Sequence, residues 1–245
     1  MVPVLLVALL TAAWWMAVVR SGTPYFPTPA QVVSGMAEMV RNGTLMQHVS
    51  ASLMRVTVGY LSALSVAIPL GVIMGWYPRV FTALNPLVQL LRPISPIAWI
   101  PLAILWFGIG NLSPMFLIFL SSFFPLVVGT VSGVQGVEPE YIRAAENFGI
   151  TGDRLLRLVV VPAALPQIIV GMRIALGIAW LVVVAAEMIA IDSGLGYLII
   201  DSRNAGNRYD LVVAAMVIIG VIGYLLDNVM RRLEGLEEVR WRHAR

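Results

Sequence analysis

Apolar runs long enough to cross a bilayer dominate this chain, and they leave few folds open to it. They fall at about residues 2–19, 53–76, 84–107, 112–134, 168–191 and 211–230. A helix needs about 20 apolar residues to cross a hydrocarbon core of about 30 Å. In lipid every backbone N–H and C=O must find a partner, and a helix supplies those partners within one segment. The sequence therefore predicts an all-α membrane protein with about six transmembrane helices. Composition agrees: 59% of residues are hydrophobic and 12% charged, against about 25% charged in a soluble domain. The first run has no basic segment ahead of it and is long for the core of a cleavable signal, so it is read as a helix that stays.

Residue types exclude several chemistries. The chain has no cysteine, which removes disulfides, thiolate metal sites and thiol nucleophiles. His48 and His243 are far apart in sequence and have no partners at metal-ligand spacing, so no metal site is expected. All 16 basic residues are arginine. A phosphate-binding loop ends in Gly-Lys-Ser/Thr because the ammonium reaches the nucleotide phosphates. A chain without lysine has no such loop, so any ATP that drives it is bound by another polypeptide. The arginines are scattered among apolar runs, which is no nucleic-acid footprint. Neither a nucleophile–base pair nor a metal cluster supports an enzyme.

The order of segments is simple. Residues 1–20 form the first span. Residues 21–52 form an extracytoplasmic segment in which Thr28-Pro29 starts a short peripheral helix and Asn42-Gly43 ends it. Val32, Val33, Met36 and Val40 are expected to share one face of that helix, which is read as lying on the membrane surface. Residues 53–230 form the core, interrupted by a loop at 135–166, and 231–245 form a charged tail. Arg92-Pro93 and Ser95-Pro96 break the third span. Six spans put both ends of the sequence on one side, with Arg79, Arg143, Arg154, Arg157, Arg231, Arg232, Arg240, Arg242 and Arg245. The other side carries Arg20, Arg41, Arg55, Arg203 and Arg208 over longer loops. Cytoplasmic loops are enriched in arginine and lysine, so both termini are expected in the cytoplasm.

The loop at 135–166 is the best punctuated part of the chain. Pro139 suits the first turn of a helix, Glu138 and Glu140 suit its positive end, and Gly149 suits the left-handed residue that closes it. Tyr141, Ala144, Ala145 and Phe148 fall at helical spacing on one face. Thr151 or Asp153 caps a second short helix, which Pro162 and Pro166 are expected to break before the fifth span.

Arg143-Ala-Ala-Glu-Asn-Phe-Gly149, followed by Pro162 and Pro166, resembles the loop of bacterial ABC importer permeases. Phe26-Pro-Thr-Pro29, Ser52-Leu-Met-Arg55, Trp99-Ile-Pro-Leu102 and Trp106-Phe-Gly-Ile-Gly110 extend the likeness to the nitrate/sulfonate/taurine branch. So do Gly171-Met-Arg173, Ala186-Glu187-Met188, Gly194-Leu-Gly196 and Asp227. The resemblance implies a type I, binding-protein-dependent importer fold in a bacterial inner membrane. It implies that Tyr141, Arg143, Ala144, Ala145, Glu146, Phe148, Gly149, Pro162 and Pro166 belong to a cytoplasmic coupling helix and its surroundings. The partners implied are a second copy of the permease, an ABC ATPase dimer that holds ATP and Mg, and an extracytoplasmic solute-binding protein. The solute implied is a small anion or zwitterion: nitrate, a sulfonate, taurine or bicarbonate. Arg143 departs from the family pattern, which usually has a glutamate there; Glu146 supplies an acid three residues later.

An ionisable residue within a span is a functional hypothesis by default. Glu187 has two roles open to it, a buried hydrogen bond or a wall of the pore. Arg173 either bonds to the neighbouring loop or serves the pore or gate. Asp227 is expected to pair with Arg231 one turn on. Gln89, Arg92 and Ser95 form a polar patch at the broken third span and are the remaining pore candidates. Gly71 and Gly75 permit a close helix contact within the chain. An ion-gradient transporter is the alternative to an ATP-driven one; such proteins often carry internal repeats, and none is evident here.

Overall fold

The computed structural model describes residues 2–22, 25–204 and 206–235, and every element among them is helical. In chain order these are α1 (Val2–Ser21), α2 (Pro29–Arg41), α3 (Thr44–Trp76) and α4 (Pro78–Leu91). A 3-10 turn, Pro96–Trp99, leads into α5 (Ile100–Phe107), followed by α6 (Leu112–Gln135), α7 (Pro139–Asn147) and α8 (Gly152–Leu155). A π turn, Leu156–Val160, joins α8 to α9 (Val161–Ala190), and α10 (Leu195–Asn204) and α11 (Tyr209–Glu234) are the last elements among the described residues. The tail residues Arg240, Arg242, His243 and Arg245 lie outside the described residues.

Among the described residues, four helical runs are long and apolar enough to cross a membrane: Thr44–Trp76, Leu112–Gln135, Gly152–Ile189 and Tyr209–Glu234. Pro78–Leu91 and Pro96–Phe107 bend by 85° at their junction and make a fifth if counted together. Four or five of the six expected spans are thus borne out by length and composition. α1, an apolar helix of 20 residues, is the remaining candidate.

Three helices form the centre, with α6 packed between α3 and α9. Small residues let them approach. Gly59, Ala63, Ala67, Gly71 and Gly75 recur every fourth residue along α3. A methyl group on Gly71 would sit 2.6 Å from Thr130 Cβ, and one on Gly75 would sit 2.7 Å from Val134 Cβ. On the other side of α6, a Cβ on Gly129 would lie 3.2 Å from the Cα of Gly171 on α9. In lipid, where apolar surface gains little by leaving one apolar medium for another, such close packing drives helix association.

α3, α6 and α11 run in one direction and α9 in the other, which gives the bundle two ends. One holds α2, α10, the starts of α3, α6 and α11, and the end of α9. The other holds α7, α8, the ends of α3, α6 and α11, and the start of α4. At the α10 end, Thr28 caps α2 by accepting from the Gln31 N–H at 3.4 Å while Gln31 Oε1 accepts from the Thr28 N–H at 2.8 Å. The buried face of α2 is Val32, Gly35 and Met39. Val33 and Val40, expected to share a face with Val32, are exposed while Val32 is buried, because the close approach of Gly35 to Asp210 and Leu211 sets the rotation of the helix.

Two further boundaries differ from the sequence reading. α3 starts at Thr44, ahead of the apolar run, because His48 and Ser52 are buried at its first turns. Pro162 and Pro166 do not break the chain, which stays helical from Gly152 to Ala190. A proline ring clashes with the preceding turn of a regular helix. The wider π turn directly ahead of Pro162 relieves that clash.

Candidate functional site

The most polar point in the apolar interior is at the α10 end. Arg55 on α3 and Glu187 near the end of α9 are fully buried and pair at 2.7 Å between Nη1 and Oε1. Such a pair survives out of water only when its remaining donors and acceptors are also met. They are. Arg55 Nε donates to Asn111 Oδ1 at 2.8 Å, Nη1 also donates to the Ser193 carbonyl at 2.9 Å, and Nη2 donates to Ser193 Oγ at 2.6 Å. Ser52 Oγ lies 2.9 and 2.8 Å from the two Glu187 oxygens and donates to that carboxylate.

The carboxylate does a second job at the start of α10. The first N–H groups of a helix have no partner inside it. Here the Gly194 N–H donates to His48 Nδ1 at 3.0 Å, the Leu195 N–H to Ser52 Oγ at 2.9 Å, and the Gly196 N–H to Glu187 Oε2 at 3.0 Å. A negative charge at this position also suits the helix dipole. Glycine is required at two places. A Cβ on Gly196 would overlap the Val184 carbonyl, and Gly194 has φ +104° with its Cβ position taken by the Glu187 carboxylate. The result is a closed knot of α3, α6, α9 and α10. Glu187 is wholly buried with both oxygens engaged.

At the opposite end, α7 stands clear of the bundle. Its termination is a complete Schellman motif. Gly149 has φ +78°, its N–H donates to the Glu146 carbonyl at 2.9 Å, and the Ile150 N–H donates to the Ala145 carbonyl at 3.0 Å. Ala145 faces inward and packs with Ile142, Ile150, Leu155 and Val160. It is therefore not part of the outward face on which its spacing placed it: the satellite core under α7 draws in Ile142 and Ala145 together. The outward face is Tyr141, Ala144 and Phe148, with Tyr141 49% and Phe148 85% exposed and charged Arg143 and Glu146 beside them. Pro162 and Pro166 sit within the helical run beneath this cap.

Arg173 on α9 does not reach a loop. It bonds to α11, with Nε 2.6 Å from Asp227 Oδ1 and Nη1 3.1 Å from Glu234 Oε2. Asp227 also takes Arg231 at 2.8 Å, one turn on as its spacing indicated. Gln89, Arg92 and Ser95 are all exposed at the 85° break between α4 and α5.

Residues 67–236 match the family described as the inner membrane component of binding-protein-dependent transport systems. The chain belongs to that family. Among curated members of this permease family, the taurine transport system permease protein TauC of Escherichia coli is 38% identical over 237 residues, 94% of this chain and 85% of that one. The nitrate import permease protein NrtB of Synechocystis is 32% identical over 243 residues, 96% of this chain and 88% of that one. In fold, the permease resembles a chain of the MetNI methionine ABC transporter solved in inward-facing conformations. The TM-score is 0.69 at 17% identity, covering 78% of this chain and 94% of that one. It is thus a multi-pass ABC transporter permease.

Three sequence fragments that carry the family likeness converge in the buried knot: Ser52–Arg55, Ala186–Met188 and Gly194–Gly196. The sequence reading named Glu187 but missed its pairing with Arg55 and Ser52, and the roles of Asn111 and Ser193 on Arg55 and of His48 on the Gly194 N–H. The available signal was cost: an arginine so close to an apolar run demands a counter-charge.

Proposed function

We propose that this chain is the membrane-spanning subunit of an ATP-driven importer for a small anionic or zwitterionic solute of the nitrate, sulfonate, taurine or bicarbonate class. Two copies form the path. A cytoplasmic ABC ATPase dimer binds and hydrolyses ATP with Mg, and this chain holds no nucleotide or cofactor of its own. A solute-binding protein delivers cargo from the other side of a bacterial inner membrane, and both ends of the sequence lie in the cytoplasm.

The observation that carries this reading is the outward face of α7. Two aromatic side chains flank Ala144 on a short, well-capped helix that stands off the bundle. Exposed Phe148 gains nothing by facing water, and an aromatic–small–aromatic face suits a groove in another protein. The charge distribution supports the orientation. Arg79, Arg143, Arg154, Arg157, Arg231 and Arg232 gather at the α7 end. The α10 end carries Arg20, Arg41, Arg55, Arg203 and Arg208, of which Arg55 pairs with Glu187, and Arg208 with Glu38 and Asp210. The buried knot at the α10 end fits a structural role for Glu187, and Arg173 fits a brace between α9 and α11.

In this mechanism ATP-driven closure of the ATPases moves the two α7 helices together. α7 is bonded to α8 through the Ala145 cluster, and α8 continues into α9 without a break, so the motion passes directly to a central span. Phe148→Asp and Ala144→Trp test the reading. Both variants should insert at normal abundance and lose most uptake of the solute, because Ala144 and Phe148 touch little of their own chain. Normal uptake by both would overturn the assignment of α7.

A further inference from the structure

The polar patch at the broken third span continues along α4 as a stripe. Thr82, Asn85, Gln89 and Arg92 follow one another at helical spacing, and Thr82, Gln89 and Arg92 are exposed. Gln89 Nε2 donates to Asn85 Oδ1 at 3.3 Å, which links the middle of the stripe. The inward face of the same helix is apolar: Val80, Phe81, Leu84 and Val88 pack on the main core. Leu87 and Leu90, 55% and 67% exposed, flank the stripe on the far side.

Depth gives the stripe its meaning. α4 has 14 residues, so Arg92 lies about 20 Å along it from its start at the α7 end. That is well inside a hydrocarbon core of about 30 Å. An arginine at such depth costs at least about 2.5 kcal/mol facing lipid. Among the described residues, Arg92 has no ion pair or side-chain hydrogen bond to offset this. Residues 92–95, the non-helical break itself, are exposed as well, and irregular backbone at depth is tolerated where it lines water. A cation at the end of a helix gains something from the dipole, but that does not explain polar Gln89, Asn85 and Thr82 on the same face.

We propose that the Thr82–Asn85–Gln89–Arg92 face of α4 lines the solute path, and that Arg92 makes that path selective for anions. The inference rests on the importer reading and sharpens it: the solute presents an anionic group to Arg92 on its way through. A single unpaired cation in a narrow, low-dielectric passage concentrates anions and excludes cations.

The absence of cysteine permits a direct test that needs neither the ATPase nor the identity of the solute. Gln89→Cys and Leu90→Cys are made separately in the full chain and reconstituted in liposomes. Each is exposed on both sides to methanethiosulfonates carrying either a sulfonate or a trimethylammonium group, with rates normalised to a free thiol. Gln89→Cys should react at least about tenfold faster with the anionic reagent than with the cationic one. Leu90→Cys should react slowly with both. Adding Arg92→Gln to Gln89→Cys should keep the site reactive and bring the ratio close to one, and adding Arg92→Lys should preserve the preference. The proposal is overturned if Gln89→Cys reacts no faster than Leu90→Cys, or if Arg92→Gln leaves the ratio unchanged. A failure of α7 to bind an ATPase would not alter these rates, so the two readings fail separately.

Discussion

Replacing Arg55 by methionine tests whether the buried knot at the α10 end holds the bundle together. Methionine keeps most of the aliphatic stem and removes the guanidinium. The Glu187 carboxylate then keeps only Ser52 and the Gly196 N–H as partners, and it remains buried without a counter-charge. Removing one member of such a pair typically costs about 3–5 kcal/mol, and a membrane bundle of this size has little stability to spare. The double variant Arg55→Met with Glu187→Gln leaves no buried charge. Its amide oxygen can still accept from the Gly196 N–H and cap α10. The double variant should therefore be more stable than Arg55→Met alone by about 2 kcal/mol, while Glu187→Gln alone, which leaves Arg55 buried without its counter-charge, is destabilising, so the cycle of two single variants and the double is non-additive. Unfolding in mixed micelles with rising dodecyl sulfate, followed by tryptophan fluorescence and helical circular dichroism, measures both. If Arg55→Met stays within about 1 kcal/mol of the parent, or if the two substitutions simply add, the reasoning from charge burial is wrong.

Two further outcomes follow from the geometry. Gly196→Ala should insert but lose about 3 kcal/mol or more in the same unfolding assay, because its Cβ meets the rigid Val184 carbonyl; wild-type stability would contradict the close approach of α10 to α9. Single cysteines at Asn207 and Phe148 should be labelled by an impermeant maleimide from opposite sides of the membrane, Asn207 from outside and Phe148 from the cytoplasm. Labelling of both from one side would overturn the charge argument for orientation.

What could be read in the sequence was what depends on neighbours along the chain. The caps of α2 and α7 were legible in Thr28, Pro29, Pro139 and Gly149 because capping is decided within one turn. The break in the third span was legible in Pro93 and Pro96 for the same reason. Contacts between distant segments were not. Arg55 reads as a loop charge until α9 brings Glu187 to it from 132 residues away. Ala144 and Ala145 are the same residue type one position apart, and only the small core of Leu155 and Val160 decides which turns inward. Pro162 misled because a π turn directly ahead of it, which no residue type signals, accommodates it, and Pro166 sits inside α9 without ending it. The same limit hid α10, whose buried Leu195, Leu198 and Ile199 sit among polar residues that read as a loop.

The central claim is that α7 is the surface through which an ATPase drives this permease. The most direct measurement places a photoreactive benzoyl-phenylalanine at Phe148, the residue with 85% of its surface exposed, in cells of the source organism. Irradiation should yield one principal adduct, and mass spectrometry of it should identify a chain with the glycine-rich, lysine-bearing phosphate loop of an ABC ATPase. The same probe at Leu90, on α4, should give no such adduct. Absence of an ATPase adduct at Phe148, with lipid or a second permease in its place, would contradict the account.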